Sequence, residues 1–314
     1  MAGDSGNIKN PGWYSGGLSD VLSPGSGNVF YVNGGSDGPV VDTNDGLTPG
    51  SPKQLLQSGI DLCTPGNNDT VVVLNYGGNA RAVETFPVDA DCYLMRIIGV
   101  GTLGQKWPVV SVSDPAGANT ANPGLLISAD RVEVSNLAFG GGTAAGAIHV
   151  GGGDGTWGAY IHDCYFGVGD DNAVGQDGIR IIAGAAPYLT VVGCRFGHQL
   201  TRDGLRFDAN ATRCMIGVPG QPSNYFHNIP GIAINMNVTG ITEPGIFDNR
   251  IAVPANTAGG AITFHASVLD AWVDGNSANF GDTTMGNNPY ADGAGAGANN
   301  WLMNYQGITS VMPT

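Results

Sequence analysis

Two hexapeptides constrain this chain more than anything else in it. Residues 176–181 read Gln-Asp-Gly-Ile-Arg-Ile, and residues 202–207 read Arg-Asp-Gly-Leu-Arg-Phe, the same motif 26 residues later. Looser copies are Ala147-Ile148-His149-Val150, Gly231-Ile232-Ala233-Ile234 and Ala261-Ile262-Thr263-Phe264. Anchored on Ile148, Ile179, Leu205, Ile232 and Ile262, the copies fall 31, 26, 27 and 30 residues apart. A second motif sits between the anchors, a β-rich run, then a small or polar residue, then an aromatic. It appears as Val134-Ser135-Asn136-Leu137-Ala138-Phe139, as Ile161-His162-Asp163-Cys164-Tyr165-Phe166 and as Val192-Gly193-Cys194-Arg195-Phe196, and more loosely near Phe226, Ile251 and Phe280. A unit of about 25–30 residues holding only short strands cannot bury its own apolar face, so the units must stack.

Helical repeats of similar period need a 3.6-residue periodicity, which the units lack. Leucine-rich repeats need a Leu-Asn ladder, also missing. The remaining solution is an all-β, right-handed parallel β-helix, its rungs stacked at the strand spacing of about 4.8 Å. Phe139, Phe166, Phe196 and Phe226 then form an internal aromatic column, and Leu137, Cys164 and Cys194 share one rung position. The leucine argues that this slot is apolar, so both cysteines are expected as buried thiols. Composition agrees. There are 52 glycines with no collagen-like period, and charged residues make up 12 %, about half the usual fraction. Lysine occurs only at positions 9, 53 and 106 and glutamate only at 84, 133 and 243. Helix surfaces normally use both freely, whereas Asp, Asn and Gly favour turns.

The ends differ from the middle. Residues 1–27 are rich in Gly, Ser, Asn and Pro and read as an extended arm, residues 28–282 as the β-helix, and residues 283–314 as a C-terminal cap or oligomerisation tail. One capping helix is expected after Ser51-Pro52, a good N-cap followed by proline at the first helical position. Leu55, Leu56, Ile60 and Leu62 line one side of it. Placed before the first rung, it covers the open end of the core.

Several functions are disfavoured. The net charge is −14 with no basic cluster, so a phosphate backbone is repelled and nucleic acid is not an expected partner. No apolar run reaches the length of a membrane span. The first residues lack the basic and apolar regions of a secretory signal, so either export uses another route or the protein assembles inside the cell, as virions do. Five cysteines without a CxxC pair suggest neither a zinc site nor a disulfide framework.

The segment Val29-Phe30-Tyr31-Val32-Asn33, followed by Asp42-Thr43-Asn44-Asp45-Gly46 and Ser51-Pro52-Lys53-Gln54-Leu55-Leu56, resembles the opening of pectate-lyase-like β-helix proteins. The resemblance covers most of residues 28–282. Short acidic members without a signal peptide look like bacteriophage virion proteins, such as tailspikes, head spikes and capsid decorations. It implies a structural subunit of a virion that touches host glycans. The arm at 1–27 and the apolar tail at 301–312 cannot bury themselves on a solenoid flank, so a homotrimer is expected, with other virion proteins held through the arm. No cofactor is expected. The alternatives are a polysaccharide lyase or hydrolase of the same fold and a non-catalytic carbohydrate-binding module.

Candidate chemistry is sparse. Lyases of this fold hold calcium with aspartates, and Asp42, Asn44 and Asp45 could supply hard oxygen ligands, although the same residues make turns. Hydrolases of the fold need paired carboxylates across a groove. Asp170-Asp171 with Gly197-His198 resembles such a set, but Gln199 stands where a glycine is expected. No Gly-x-Ser-x-Gly, phosphate loop or Cys/His pair is present. The better surface feature is a column. His149, Arg180 and Arg206 occupy one outward strand position on successive rungs, with Asp177 and Asp203 stacked at the adjoining turn. The aspartates are the obvious partners of the arginines. Alternatively the face holds an acidic sugar or a neighbouring subunit, since guanidinium forks suit carboxylates. His162, His227 and His265 show no ligand spacing and are expected to pack.

Overall fold

The computed structural model describes residues 27–35, 42–75, 84–100, 109–111, 122–140, 146–152, 156–167, 176–182, 186–197, 200–253, 260–280, 290–293, 298–306 and 309–310. Strands of two to six residues pair in parallel with their counterparts one coil before and one coil after. They form sheets of ten, nine and eight strands, here sheets 1, 2 and 3, and a two-stranded ribbon. One coil shows the path. Ile148–Val150 lies in sheet 3, Tyr160–His162 in sheet 1 and Tyr165–Phe166 in sheet 2, and Ile179–Ile181 re-enters sheet 3. The chain is a parallel β-solenoid. The corner from sheet 1 to sheet 2 is turned by a left-handed residue: Asn136, Asp163, Gly193, Asp248 or Gly275, with φ between 52° and 69°. Only Gly, Asn and Asp adopt that conformation readily, which accounts for much of the composition.

The repeat anchors pair as the spacing implies through Ile148, Ile179 and Leu205. One coil later the alignment moves by two residues, because Leu205 pairs with Ile234 rather than Ile232, and Ile234 pairs with Ile262. The cause is Asp203, whose carboxylate accepts the Ile232 N–H at 2.8 Å and holds that residue in the turn. Ile232 is half-buried there and Ile234 is fully buried.

Phe139, Phe166, Phe196 and Phe226 stack inside the solenoid, with centroids 5.3, 4.8 and 4.4 Å apart and rings within 17° of parallel. The column continues as Ile251 and Ala278; Phe280 pairs instead with Val253. The stack explains the glycine of the Asp-Gly motif. A Cβ on Gly178 would lie 2.6 Å from the Phe196 ring, and one on Gly204 the same distance from Phe226.

Leu137, Cys164 and Cys194 do occupy one fully buried slot, and all five cysteines are free thiols. Above Cys194, however, the slot turns polar: Asn224, Asn249, Asn276 and Asn304 fill it, each 0 % exposed. Each amide donates to a backbone carbonyl of the preceding coil, at Val191, Ile216, Ile246 and Val273 respectively, over 2.8–3.0 Å. The first three also donate to the next asparagine's carbonyl oxygen at 2.8–2.9 Å. The thiols of Cys164 and Cys194 point at the equivalent carbonyls of Val134 and Ile161, 3.7 Å away. The corner carbonyl needs a donor, and an amide supplies a far better one than a thiol.

The capping helix, α1, spans Leu56–Ile60, four residues later than the Ser51-Pro52 signal implies. Lys53 is responsible. Its N–H and C=O bond to Tyr31 and Asn33 of the first strand, which holds the residue extended. The helix is capped by Glu84, whose carboxylate accepts the Leu56 N–H at 2.8 Å. At the other end, Tyr290–Asp292, Asn300–Trp301 and Tyr305–Gln306 join the same three sheets. Thr309–Ser310 then turns back antiparallel on Tyr305–Gln306, covering that edge.

Candidate functional site

His149, Arg180 and Arg206 do stand in register on sheet 3, followed by Asn235. His149 is buried and the arginines are half-buried. The charges around them are matched by a partner exchange that the alignment does not reveal. Asp177, fully buried, holds Arg202 rather than Arg180, with Arg202 Nε donating at 2.8 Å. Asp203 accepts from Arg206 Nη1 at 3.1 Å and from the Asn235 amide at 2.9 Å. Asp208 bridges the column, accepting from Arg180 at 2.6 Å and Arg206 at 2.7 Å. Burial alone would raise the Asp208 carboxyl, but Arg180 and Arg206 override that and hold it below the usual carboxylate range. Three guanidiniums thus face three carboxylates in one network. Asp177 also accepts the Asp203 N–H at 3.2 Å, so the motif aspartates staple adjacent coils.

Asp42, Asn44 and Asp45 serve the turn. They hydrogen-bond to Gln54 N–H, Pro52 C=O and Leu47 N–H respectively, at 2.6–3.0 Å. Among the described residues no three His, Cys, Asp or Glu side chains are grouped to hold a metal. Asp170, Asp171, His198 and Gln199 lie outside the described residues.

A buried clamp lies on sheet 1. Glu133, 1 % exposed, accepts from Arg96 Nε at 3.0 Å and lies 2.9 Å from His162 Nε2. His162 Nδ1 lies 2.8 Å from Asp163, and the Tyr160 ring stacks on the imidazole with centroids 4.4 Å apart. Burial would lower the imidazole's pKa. Hydrogen bonds to the Asp163 and Glu133 carboxylates outweigh it and bring the pKa to about 9. An imidazolium held by two carboxylates fastens neighbouring coils together.

The open site is on sheet 2. Tyr165, Arg195, Tyr225 and Arg250 pair in that order on successive coils, each immediately preceding an inward core residue and hence facing outward. Arg195 and Arg250 are exposed. The Arg195 guanidinium lies 5.9 Å from the Tyr225 ring centroid, and the Tyr225 and His227 rings stack at 5.9 Å. Together with Phe196 and Gly197, the residues Tyr165, Arg195, Tyr225 and His227 line a cavity of about 260 Å³, enough for a single sugar ring but below the usual range for larger ligands. Gly197 keeps it open, since a Cβ there would come within 3.2 Å of the Tyr165 ring and of two backbone oxygens. Sequence reasoning missed this ladder, although the signal was present: these are the residues just before Phe166, Phe196, Phe226 and Ile251.

Such an arrangement offers flat aromatic faces, guanidinium forks and a shallow floor on a rigid sheet, which is equipment for holding a ligand. No protein-family model and no curated protein matches the sequence.

Proposed function

We propose that this chain is a structural virion protein, a β-helical spike or a capsid or tail decoration subunit, which touches host-surface glycans through the outer face of sheet 2. The observation that carries the glycan contact is the outward-facing Tyr165–Arg195–Tyr225–Arg250 ladder, its arginines exposed and its tyrosines half-buried, with its cavity. Aromatic faces and polar forks fixed on a stacked backbone bind a stiff ligand at little ordering cost. A β-solenoid also suits a particle's exterior, because its length grows by coils while its cross-section stays constant. The role is read as non-catalytic. A glycan-cleaving acid needs a raised pKa, whereas Asp177, Asp203 and Asp208 are each held by arginine. The virion role rests on the chain's likeness, as a short acidic β-helix, to bacteriophage members of the pectate-lyase-like fold. Trimerisation through the arm at 1–27 and the apolar tail belongs to the same proposal.

The test is an electron micrograph of the purified source particle labelled with an antibody to this chain, paired with sedimentation of the full-length protein. Decorated particles and a trimeric species are expected. Unlabelled particles would refute the virion role and leave a carbohydrate-binding module as the reading of the same face.

A further inference from the structure

We propose that the sheet 2 ladder is selective for acidic glycans, with the carboxylate of a uronate-type sugar received by Arg195 and a ring stacked on Tyr225. The inference rests on the glycan contact proposed above and names its ligand class.

The argument is one of charge. Of the eight arginines among the described residues, five are ion-paired: Arg96, Arg180, Arg202, Arg206 and Arg213. Arg131 lies against the Trp157 ring at 4.3 Å. The remaining two, Arg195 and Arg250, have no carboxylate within 4.0 Å among the described residues, and both stand on the outer face of sheet 2. In a chain of net charge −14, where carboxylates outnumber cations, two guanidiniums without a carboxylate partner among the described residues, two coils apart on one face, are a local reversal of the prevailing field. The column on sheet 3 shows how this fold treats arginines that serve only itself, since there Asp208 sits between Arg180 and Arg206.

Geometry makes the anion a polymer-borne one. Arg195 and Arg250 flank Tyr225 in strict parallel register, so they are separated by two strand spacings, about 10 Å. A chain running along the solenoid axis then meets cation, aromatic face and cation in turn. Guanidinium suits a carboxylate through paired N–H donors, and a pyranose packs its apolar C–H face on the outward part of the half-buried Tyr225 ring. The Gly197 floor admits one sugar ring between Arg195 and His227.

The experiment uses the full-length chain and isothermal titration with three probes: an alginate tetrasaccharide, the same tetrasaccharide with its carboxyls reduced to alcohols, and a sulfated neutral tetrasaccharide. Expected are binding of the uronate, a loss of tenfold or more on carboxyl reduction, and the same loss in Arg195→Ala. Arg195→Lys should recover part of it, and Arg250→Ala should weaken the tetrasaccharide less. Circular dichroism confirms the fold of each variant, as both arginines are exposed. Equal binding of the reduced probe, or tighter binding of the sulfated one, overturns the carboxylate assignment and leaves the glycan contact standing. Uronate binding indifferent to both arginine replacements overturns the site. No binding of any of the three probes overturns the inference and the glycan contact together.

Discussion

Replacing Asn249 by alanine tests the polar column inside the solenoid. Its side chain donates to Ile216 O at 2.8 Å and to Asn276 Oδ1 at 2.8 Å, and accepts from Asn224 Nδ2 at 2.9 Å. The residue is 0 % exposed, so water does not replace what is removed. Three hydrogen bonds at about 1 kcal/mol net each amount to about 3 kcal/mol, and the stranded Ile216 carbonyl adds to that. In a chain of this length the loss lowers Tm by roughly 6 °C or more. Asn249→Leu fills the slot with the residue found at Leu137 but restores no bond, and it should cost at least as much. Asn249→Cys copies Cys164 and Cys194, returns one weak donor to Ile216 O, and should fall between wild type and alanine. Urea unfolding and calorimetry of the purified chain decide the matter. A loss below about 1 kcal/mol for Asn249→Ala, or a leucine variant as stable as wild type, would refute the idea that the corner carbonyls require a donor.

Phe196→Ala removes the ring between Phe166 and Phe226 and should destabilise by about 4 kcal/mol in the same assay, a value under 2 arguing that the column repacks. Gly178→Ala drives a Cβ to within 2.6 Å of the Phe196 ring and should cost about 1–3 kcal/mol. Gly220→Ala has nothing within 4 Å of the new atom and should cost only the left-handed backbone penalty, about 1 kcal/mol. His162 has a folded pKa of about 9 against 6.5 for the free imidazole. Its stabilisation is therefore whole below pH 6.5 and is lost as pH rises through 9, an effect of about 3 kcal/mol. Thermal melts from pH 6 to 9.5 should show that decline, and His162→Gln should flatten it.

The aromatic column and the strand register were legible because a solenoid places one residue type at one slot coil after coil. The two-residue error at Ile232 came from treating the turn as fixed in length, whereas Asp203 reaches over and gathers Ile232 into it. The helix start was misplaced for a similar reason. Ser51-Pro52 is a sound local signal, but Lys53 pairs with the first strand, and that tertiary bond outweighs a cap. The asparagine column was hidden by composition. Asn224, Asn249, Asn276 and Asn304 recur every 25–28 residues, yet in a chain full of turn asparagines the recurrence carries no mark of burial.

The charge matching on sheet 3 was hidden for a subtler reason. Arginines recur on two faces, directly stacked at Arg180 and Arg206 on sheet 3 and alternating with tyrosine at Arg195 and Arg250 on sheet 2. What separates them is the coil-to-coil partner. Asp208 follows Phe207 directly, so it lies beside both Arg180 and Arg206 once the rungs stack. Arg195 is followed on the next coil by Tyr225 and not by an acid. In a stacked fold a side chain's charge partners include neighbours about 27 residues away: Arg206 keeps Asp203 and Asp208 from its own coil, whereas Asp177 turns to Arg202 and Arg180 to Asp208. Charge therefore has to be matched between coils before a face is judged free, and by that measure the sheet 2 guanidiniums, which have no carboxylate partner among the described residues, are where the proposed anionic partner has something to gain.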